Sequence, residues 1–298
     1  MYVKGIIENY IMFQHLKKKG GLIVLLGLLL ANFLIWQNVS FAEKENLVTV
    51  AFLDVGQGDS IYIEGQNGGQ ILIDGGPNGN VLSELGKVMP FGDRTIDLLI
   101  LTNPDQDHYG GFLDVLITYD ISYVMEPGTR TPNKTYRELK RMLKEKGVEE
   151  IIAERGMSIS LGDGALLKII FPDRDVSNMS RNDGSIIARL EYGSTSVMFT
   201  GDTTKIIEEY LVNHYPEDLP SSILKVAHHG SKTSTGKRFV EAVAPTYAII
   251  SNGKNNRYGH PHQNTLKTLS EFGAEIFRTD TLGTIIFKLD GEKIELKK

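Results

Sequence analysis

Four short apolar runs in this chain each stop at a loop of glycine, acid, amide or histidine. That recurrence constrains the fold more than any other feature. Ile71-Leu72-Ile73 runs into Asp74-Gly75-Gly76, and Ile96–Leu101 runs into Thr102-Asn103-Pro104-Asp105-Gln106-Asp107-His108-Tyr109-Gly110-Gly111. Thr195–Thr200 leads to Gly201-Asp202-Thr203, and Ser222–Ala227 to His228-His229-Gly230-Ser231. A fifth loop, Tyr258-Gly259-His260-Pro261-His262, precedes a helical pattern from Thr265 to Phe272. Loops on a rigid scaffold are where reactive side chains concentrate. The pattern therefore predicts several distant loops meeting at one edge of a sheet pair.

The remaining runs fit that frame. Leu47–Leu53, Ser60–Glu64 and Gln70–Asp74 are β-branched and separated by Gly-rich turns, as in an antiparallel meander. Ile96–Leu101 reads as a strand buried on both faces. Ala165–Phe171, Ser185–Glu191 and Thr195–Thr200 form a second set, followed by buried strands at Ser222–Ala227 and Thr246–Ser251. Tyr136–Lys146 and Thr204–His214 carry apolar residues at helical spacing. Thr284–Leu289 and Lys293–Leu296 read as a hairpin across Asp290-Gly291. Two mixed sheets face to face with helices outside, an α/β class, satisfy this order in one domain over residues 43–298.

Residues 1–42 read differently. Lys17, Lys18 and Lys19 precede an uncharged run from Gly20 to Ala42, which ends in Ser40-Phe41-Ala42. A basic start, an apolar middle and a small-residue exit describe a secretory signal. If uncleaved, residues 20–42 are long enough to anchor in a membrane. The expected location is thus secreted or extracytoplasmic and membrane-anchored. Beyond residue 42 the chain carries 28 basic and 36 acidic residues, a net charge of −8. That balance speaks against indiscriminate nucleic-acid binding. However, Lys225, Lys232, Lys237, Arg238, Lys254 and Arg257 crowd the histidine-rich stretch, where Glu241 is the single acid. No protein partner is implied.

The chain has no cysteine, which excludes disulfides, thiolate metal sites and thiol nucleophiles. A metal would have to sit on His, Asp, Glu, Asn or backbone oxygen. Asn103, Asp105, Asp107 and His108 lie within six residues, and alternate side chains of an extended loop face one way. Pro104 restricts the turn, and Gly110-Gly111 lets another backbone approach. Oxygen-rich sites suit Mg²⁺ or Mn²⁺, and added imidazole suits Zn²⁺. Five of the seven histidines lie in three of these loops. Asp74 is either a turn former or a support for the metal.

Taken together, the motif order resembles that of the metallo-β-lactamase superfamily. It runs Asp-x-Gly, a Thr-His-x-His-x-Asp-His-like loop, Gly-Asp, then a late histidine. The segments Leu53–Ser60, Asn182–Asp202, Lys225–Ser234 and Tyr258–Leu266 are similar to the C-terminal hydrolase domain of ComEC-type competence proteins, across about residues 47–290. The resemblance implies a four-layer αββα sandwich with one or two divalent ions between the sheets, Mn²⁺ or Zn²⁺ foremost and Mg²⁺ as an option. It implies that Asp107, His108, Asp202 and His229 hold the better metal. Asp202 would bridge to a second ion, completed by Asp105 and Asn103. Superfamily members usually have histidine where Asn103 stands, and a further histidine near Asn182-Asp183. His260 is either a ligand or the acid that protonates the leaving oxygen. Asp107, Asp202 and His260 are the catalytic candidates. His228, Ser231, Lys232, Thr233 and His262 are the substrate-binding ones, with helix capping the alternative for Ser231 and Thr233.

The expected activity is metal-assisted hydrolysis of a phosphodiester in DNA or RNA. The alternatives are hydrolysis of a small ester, lactone or phosphodiester, or a binding module whose first metal site has decayed at Asn103.

Overall fold

The computed structural model describes residues 21, 24–34 and 47–297. Residues 24–34 are helical, and no helix among the described residues is long and apolar enough to cross a membrane. Most of the expected signal or anchor lies outside the described residues. Residues 46–298 form one compact unit, separate from residues 1–45.

That unit holds two sheets. In the first, β1 (Val48–Phe52), β2 (Ile61–Glu64) and β3 (Gln70–Ile73) form the antiparallel meander. β4 (Thr95–Ile100), β5 (Asp120–Glu126) and β6 (Glu149–Ile152) extend it in parallel. β14 (Ile285–Leu289) and β15 (Ile294–Lys297), the expected hairpin, close its other edge. The second sheet begins with the antiparallel β7 (Ser158–Ser160), β8 (Leu166–Phe171), β9 (Ile187–Tyr192) and β10 (Thr195–Phe199). Next come β11 (Ile223–Lys225), β12 (Tyr247–Ile250) and β13 (Glu275–Arg278), all parallel to β10.

Strand periodicity sorts the core into three layers. Val48, Val50 and Phe52 of β1 face Val197 and Phe199 of β10 between the sheets. Ala51 points outward, to a layer with Leu85, Phe112 and Leu139 on the helices Asn80–Val88, Phe112–Thr118 and Lys134–Lys146. Met198 points outward on the other side, to Leu211, Phe239 and Leu269 on the helices Lys205–His214, Lys237–Val243 and Gln263–Glu271. Three apolar layers between four layers of structure make an αββα sandwich.

The functional loops follow the carboxyl ends of β3, β4, β10, β11 and β12. Within each sheet these strands run parallel to a neighbour, so their exits share an edge. Parallel strands collect ligand-binding loops at that edge. The Gly110-Gly111 pair permits the close approach expected of it. A Cβ on Gly111 would lie 2.0 Å from the Gly75 carbonyl, and one on Gly110 would lie 2.1 Å from the Pro77 carbonyl.

Candidate metal centre

Asp74 closes β3 with a left-handed backbone, φ +57°, which turns its carboxylate inward. Aspartate tolerates that conformation better than most residues. Oδ1 accepts the Thr102 backbone N–H at 2.8 Å, and Oδ2 accepts the Thr102 hydroxyl at 2.6 Å. His108 Nδ1 lies 2.8 Å from Oδ2. A proton on Nδ1 is therefore satisfied by Asp74, and Nε2 is left facing the cluster. Carboxylates behind histidine ligands fix ring orientation in this way.

His229 is oriented by the same logic. Its Nδ1 is 3.0 Å from the Ser251 carbonyl and 3.2 Å from Asp59 Oδ1. Its Nε2 is 3.3 Å from Asp107 Oδ2 and 3.6 Å from Asp202 Oδ1. His108 Nε2 is 3.2 Å from Asp202 Oδ2. Both Nε2 atoms and Asp202 Oδ1 are buried and make no well-directed hydrogen bond. Two ligands about 2.1 Å from one ion lie roughly 3–3.5 Å apart. Unpartnered nitrogen and oxygen donors at that spacing fit a divalent cation. Ligand atoms of Asp107, His108 and His229 all fall within 4.8 Å of one another, as do those of Asp59, Asp202 and His229.

Electrostatics point the same way. Burial opposes the charged form of each group; it wins at Asp74, whose pKa is raised, whereas at His108, His229, Asp107 and Asp202 the ionic pairs prevail. Burial pushes His229 down, but the Asp202 and Asp59 carboxylates hold its proton to about 10. Burial likewise opposes the His108 proton, and Asp202 and Asp74 raise its pKa well above the ordinary imidazole range. Burial would raise Asp202, but His108 and His229 hold it well below the carboxylate range. Asp107 is lowered as well, its burial outweighed by the adjacent His229 and His108 imidazoles. The carboxylates thus draw positive charge into a buried pocket, which a metal ion would supply in place of protons.

Beneath the histidines lies an ion pair that sequence reasoning did not assign. Lys225 Nζ donates to Asp59 Oδ2 at 2.7 Å and to the Val226 carbonyl at 3.0 Å. Burial would raise the Asp59 pKa, but Lys225 and His229 hold it at about 2. A lysine ending a fully buried strand was the available signal, since such a charge requires a partner.

The other expected site residues fall at several distances from the cluster. Asp105 lines the cavity above it and pairs with Arg181 at 2.9 Å, while burial raises its pKa. Asn103 is fully buried; its Oδ1 accepts the Asp105 N–H at 3.0 Å and its Nδ2 donates to Asn182 Oδ1 at 2.9 Å. The amide therefore braces its own loop. His228 Nε2 lies 3.8 Å from Asp202 Oδ2, at the rim. His228 and His229 both have left-handed backbones, φ +51° and +54°, a costly conformation of the kind that clusters at functional sites. Ser231 and Thr233 hydroxyls bond each other at 2.9 Å, and Thr233 reaches His228 Nδ1 at 3.2 Å. Lys232 is exposed, and its carbonyl accepts Lys205 Nζ. His260 lines the cavity; burial and the charges of His229 and His228 push it down to about 4. The His262 ring centre sits 5.1 Å from that of His260. Asp183 bonds Ser180 and Thr204 at a helix start, and Asn182, beside it, reaches the site instead. A cavity of about 360 Å³ opens over these groups, lined also by Gln57, Asn133 and Tyr258.

A family model described as the metallo-beta-lactamase superfamily matches residues 53–254. The chain belongs to this superfamily. Within it, the chain is 34% identical over 256 residues to ComE operon protein 3 of Bacillus subtilis, covering 80% of this chain and 33% of that protein. It is 30% identical over 266 residues to competence protein ComA of Neisseria gonorrhoeae, covering 88% and 35%. The chain thus spans about a third of the length of these relatives. Among solved structures, CmlA, a diiron β-hydroxylase from Streptomyces venezuelae, superposes with a TM-score of 0.54 at 14% identity, covering 81% of this chain and 54% of that one. A long-form RNase Z from yeast does so at 0.50 and 14%, covering 85% and 43%. Likeness to two such differently named proteins shows the architecture and leaves the reaction to the site.

Proposed function

We propose that this chain is a metal-dependent phosphodiesterase acting on nucleic acid. The observation that carries the reading is that His229 Nε2 faces both Asp107 and Asp202 while His108 Nε2 faces Asp202, beside an open cavity. Asp107, His108, Asp202 and His229 would hold the cation, with Asp105, in the wall of the same cavity, the candidate for a second. When bound, such an ion supplies Lewis acidity and a water acidified toward neutral pH. Asp74 and Asp59 hold the two imidazoles in register. His260 and His228, at the cavity wall, are placed to meet the phosphate or the leaving oxygen. Relatives named for competence and a neighbour named RNase Z are consistent with a nucleic-acid substrate. The extracytoplasmic location expected from residues 1–42 belongs to this proposal.

One observation favours the small-substrate reading. Half of the basic stretch is compensated: Lys225 pairs with Asp59, Lys237 with Glu271 and Arg238 with Glu209. The full chain, assayed on DNA, RNA, methyl p-nitrophenyl phosphate and a panel of lactones with Mn²⁺, Zn²⁺ or Mg²⁺, decides between them. Cleavage abolished by Asp107→Ala is expected. Turnover of lactones alone would overturn the reading.

A further inference from the structure

We propose that Tyr258 and Arg257 form a platform for one unpaired nucleotide beside the metal centre, so that the enzyme acts on single strands. The inference rests on the phosphodiesterase reading and names its substrate class.

Two cavities meet at Tyr258. The catalytic one, about 360 Å³, and a second of about 430 Å³ share Gln57, Gln106, Asp107 and Tyr258 as walls. Pro77, Asn256 and Arg257 complete the second. The two cavities adjoin along these four residues, with Tyr258 the one aromatic side chain lining both. Tyr258 is 48% exposed. It is also held in place. It lies nearly parallel to His260, with an interplanar angle of 24° and centres 5.6 Å apart. Its hydroxyl accepts Arg257 Nη2 at 2.7 Å, and the Tyr258 N–H donates to Asn256 Oδ1 at 3.2 Å. Asn256 also donates to the Gly253 and His260 carbonyls. An exposed ring braced in this way is preorganised for stacking.

Arg257 adds the charge. Its guanidinium carbon lies over the ring, 4.8 Å from the ring centre. A planar cation beside an aromatic face is suited to a phosphate oxygen next to a stacked base. A base inside a duplex is already stacked on both sides and would have to leave the helix to use the ring. An unpaired base meets no such barrier.

The test is binding by fluorescence anisotropy to the full chain in EDTA, where no cleavage occurs. The probes are a twelve-residue oligothymidylate, the same backbone with abasic residues, and the matching duplex. Wild type should prefer the oligothymidylate over the abasic strand by about tenfold to a hundredfold. Tyr258→Ala should erase that preference to within about twofold, and Tyr258→Trp should retain it. A preference unchanged in Tyr258→Ala, an absent preference in wild type, or duplex bound as tightly as single strand would each overturn the platform. Wild-type turnover of methyl p-nitrophenyl phosphate with Mn²⁺ tests the phosphodiesterase reading separately, because that substrate needs no base.

Discussion

Lys225 Nζ lies 2.7 Å from Asp59 Oδ2, and both side chains are within 2% of complete burial. They join β11 of one sheet to the loop before β2 of the other, and Asp59 also faces His229. Removing one partner of a buried pair strands the other charge, at about 3–5 kcal/mol. Lys225→Met should lower the unfolding free energy by that order in urea titration. Lys225→Met combined with Asp59→Asn should recover at least about 1 kcal/mol, because no bare carboxylate remains. Strict additivity of the two changes would show that the pair is not coupled.

Asp74 should matter to a metal it does not touch. Asp74→Asn leaves the fold's hydrogen bond from the Thr102 N–H available but gives His108 Nδ1 a poorer acceptor. Loss of such a partner typically weakens metal binding about 10- to 100-fold. Titration of the apo protein with Zn²⁺ or Mn²⁺ reads this directly. Unchanged affinity would remove Asp74 from the account of His108 orientation.

Glu208 gives a pH prediction away from the metal. It is 1% exposed, and its carboxylate accepts the Thr235 and Gly236 N–H groups at 2.7 Å each. Burial nonetheless raises its pKa from 4.5 to about 7, against those two donors and Lys205. The folded state therefore holds the proton more tightly than the unfolded chain. The resulting stability is complete below pH 4.5 and is lost as pH rises through 7. At about 1.4 kcal/mol per pH unit, the interval is worth about 3 kcal/mol. The stability of wild type minus that of Glu208→Gln should fall by that order between pH 4.5 and 8. A flat difference would mean that Glu208 ionises freely.

Gly111 and Gly86 make a contrasting pair. A Cβ at Gly111 meets the Gly75 carbonyl at 2.0 Å and the Asn78 carbonyl at 2.6 Å, both backbone. Gly111→Ala should cost about 3 kcal/mol or more. Gly86, inside the helix Asn80–Val88, has nothing within 4 Å of a Cβ. Gly86→Ala should stabilise by up to about 1 kcal/mol. Thermal melts of both variants check the two signs.

Which loops carry the site was legible because each follows an apolar run with its own period. Elements without that contrast were not. β5 exposes Asp120, Ser122 and Tyr123, and β6 opens with two glutamates, so neither alternates cleanly. β7 and β13, and the helices Asn80–Val88, Phe112–Thr118 and Lys237–Val243, lack a clear sequence signal too. The helix at Asn80 contains Gly86, and the other two have seven residues each. Within the site, residue types announced the cluster, but hydrogen bonds decide its roles. Asn103 turned toward Asn182, and Asp183 toward Thr204, because of partners about 80 and 21 residues away. Asp59 and Lys225 are 166 residues apart, beyond any local pattern.

Asp107 and His108 follow β4 in one sheet, whereas Asp202 and His229 follow β10 and β11 in the other. An ion gripped by all four would rivet two halves of the sandwich built from separate stretches of chain. Its free concentration would then govern endurance as well as chemistry: a hundredfold excess over the dissociation constant adds about 2.7 kcal/mol. Scarcity of the ion would shorten the molecule's working life before any substrate was encountered.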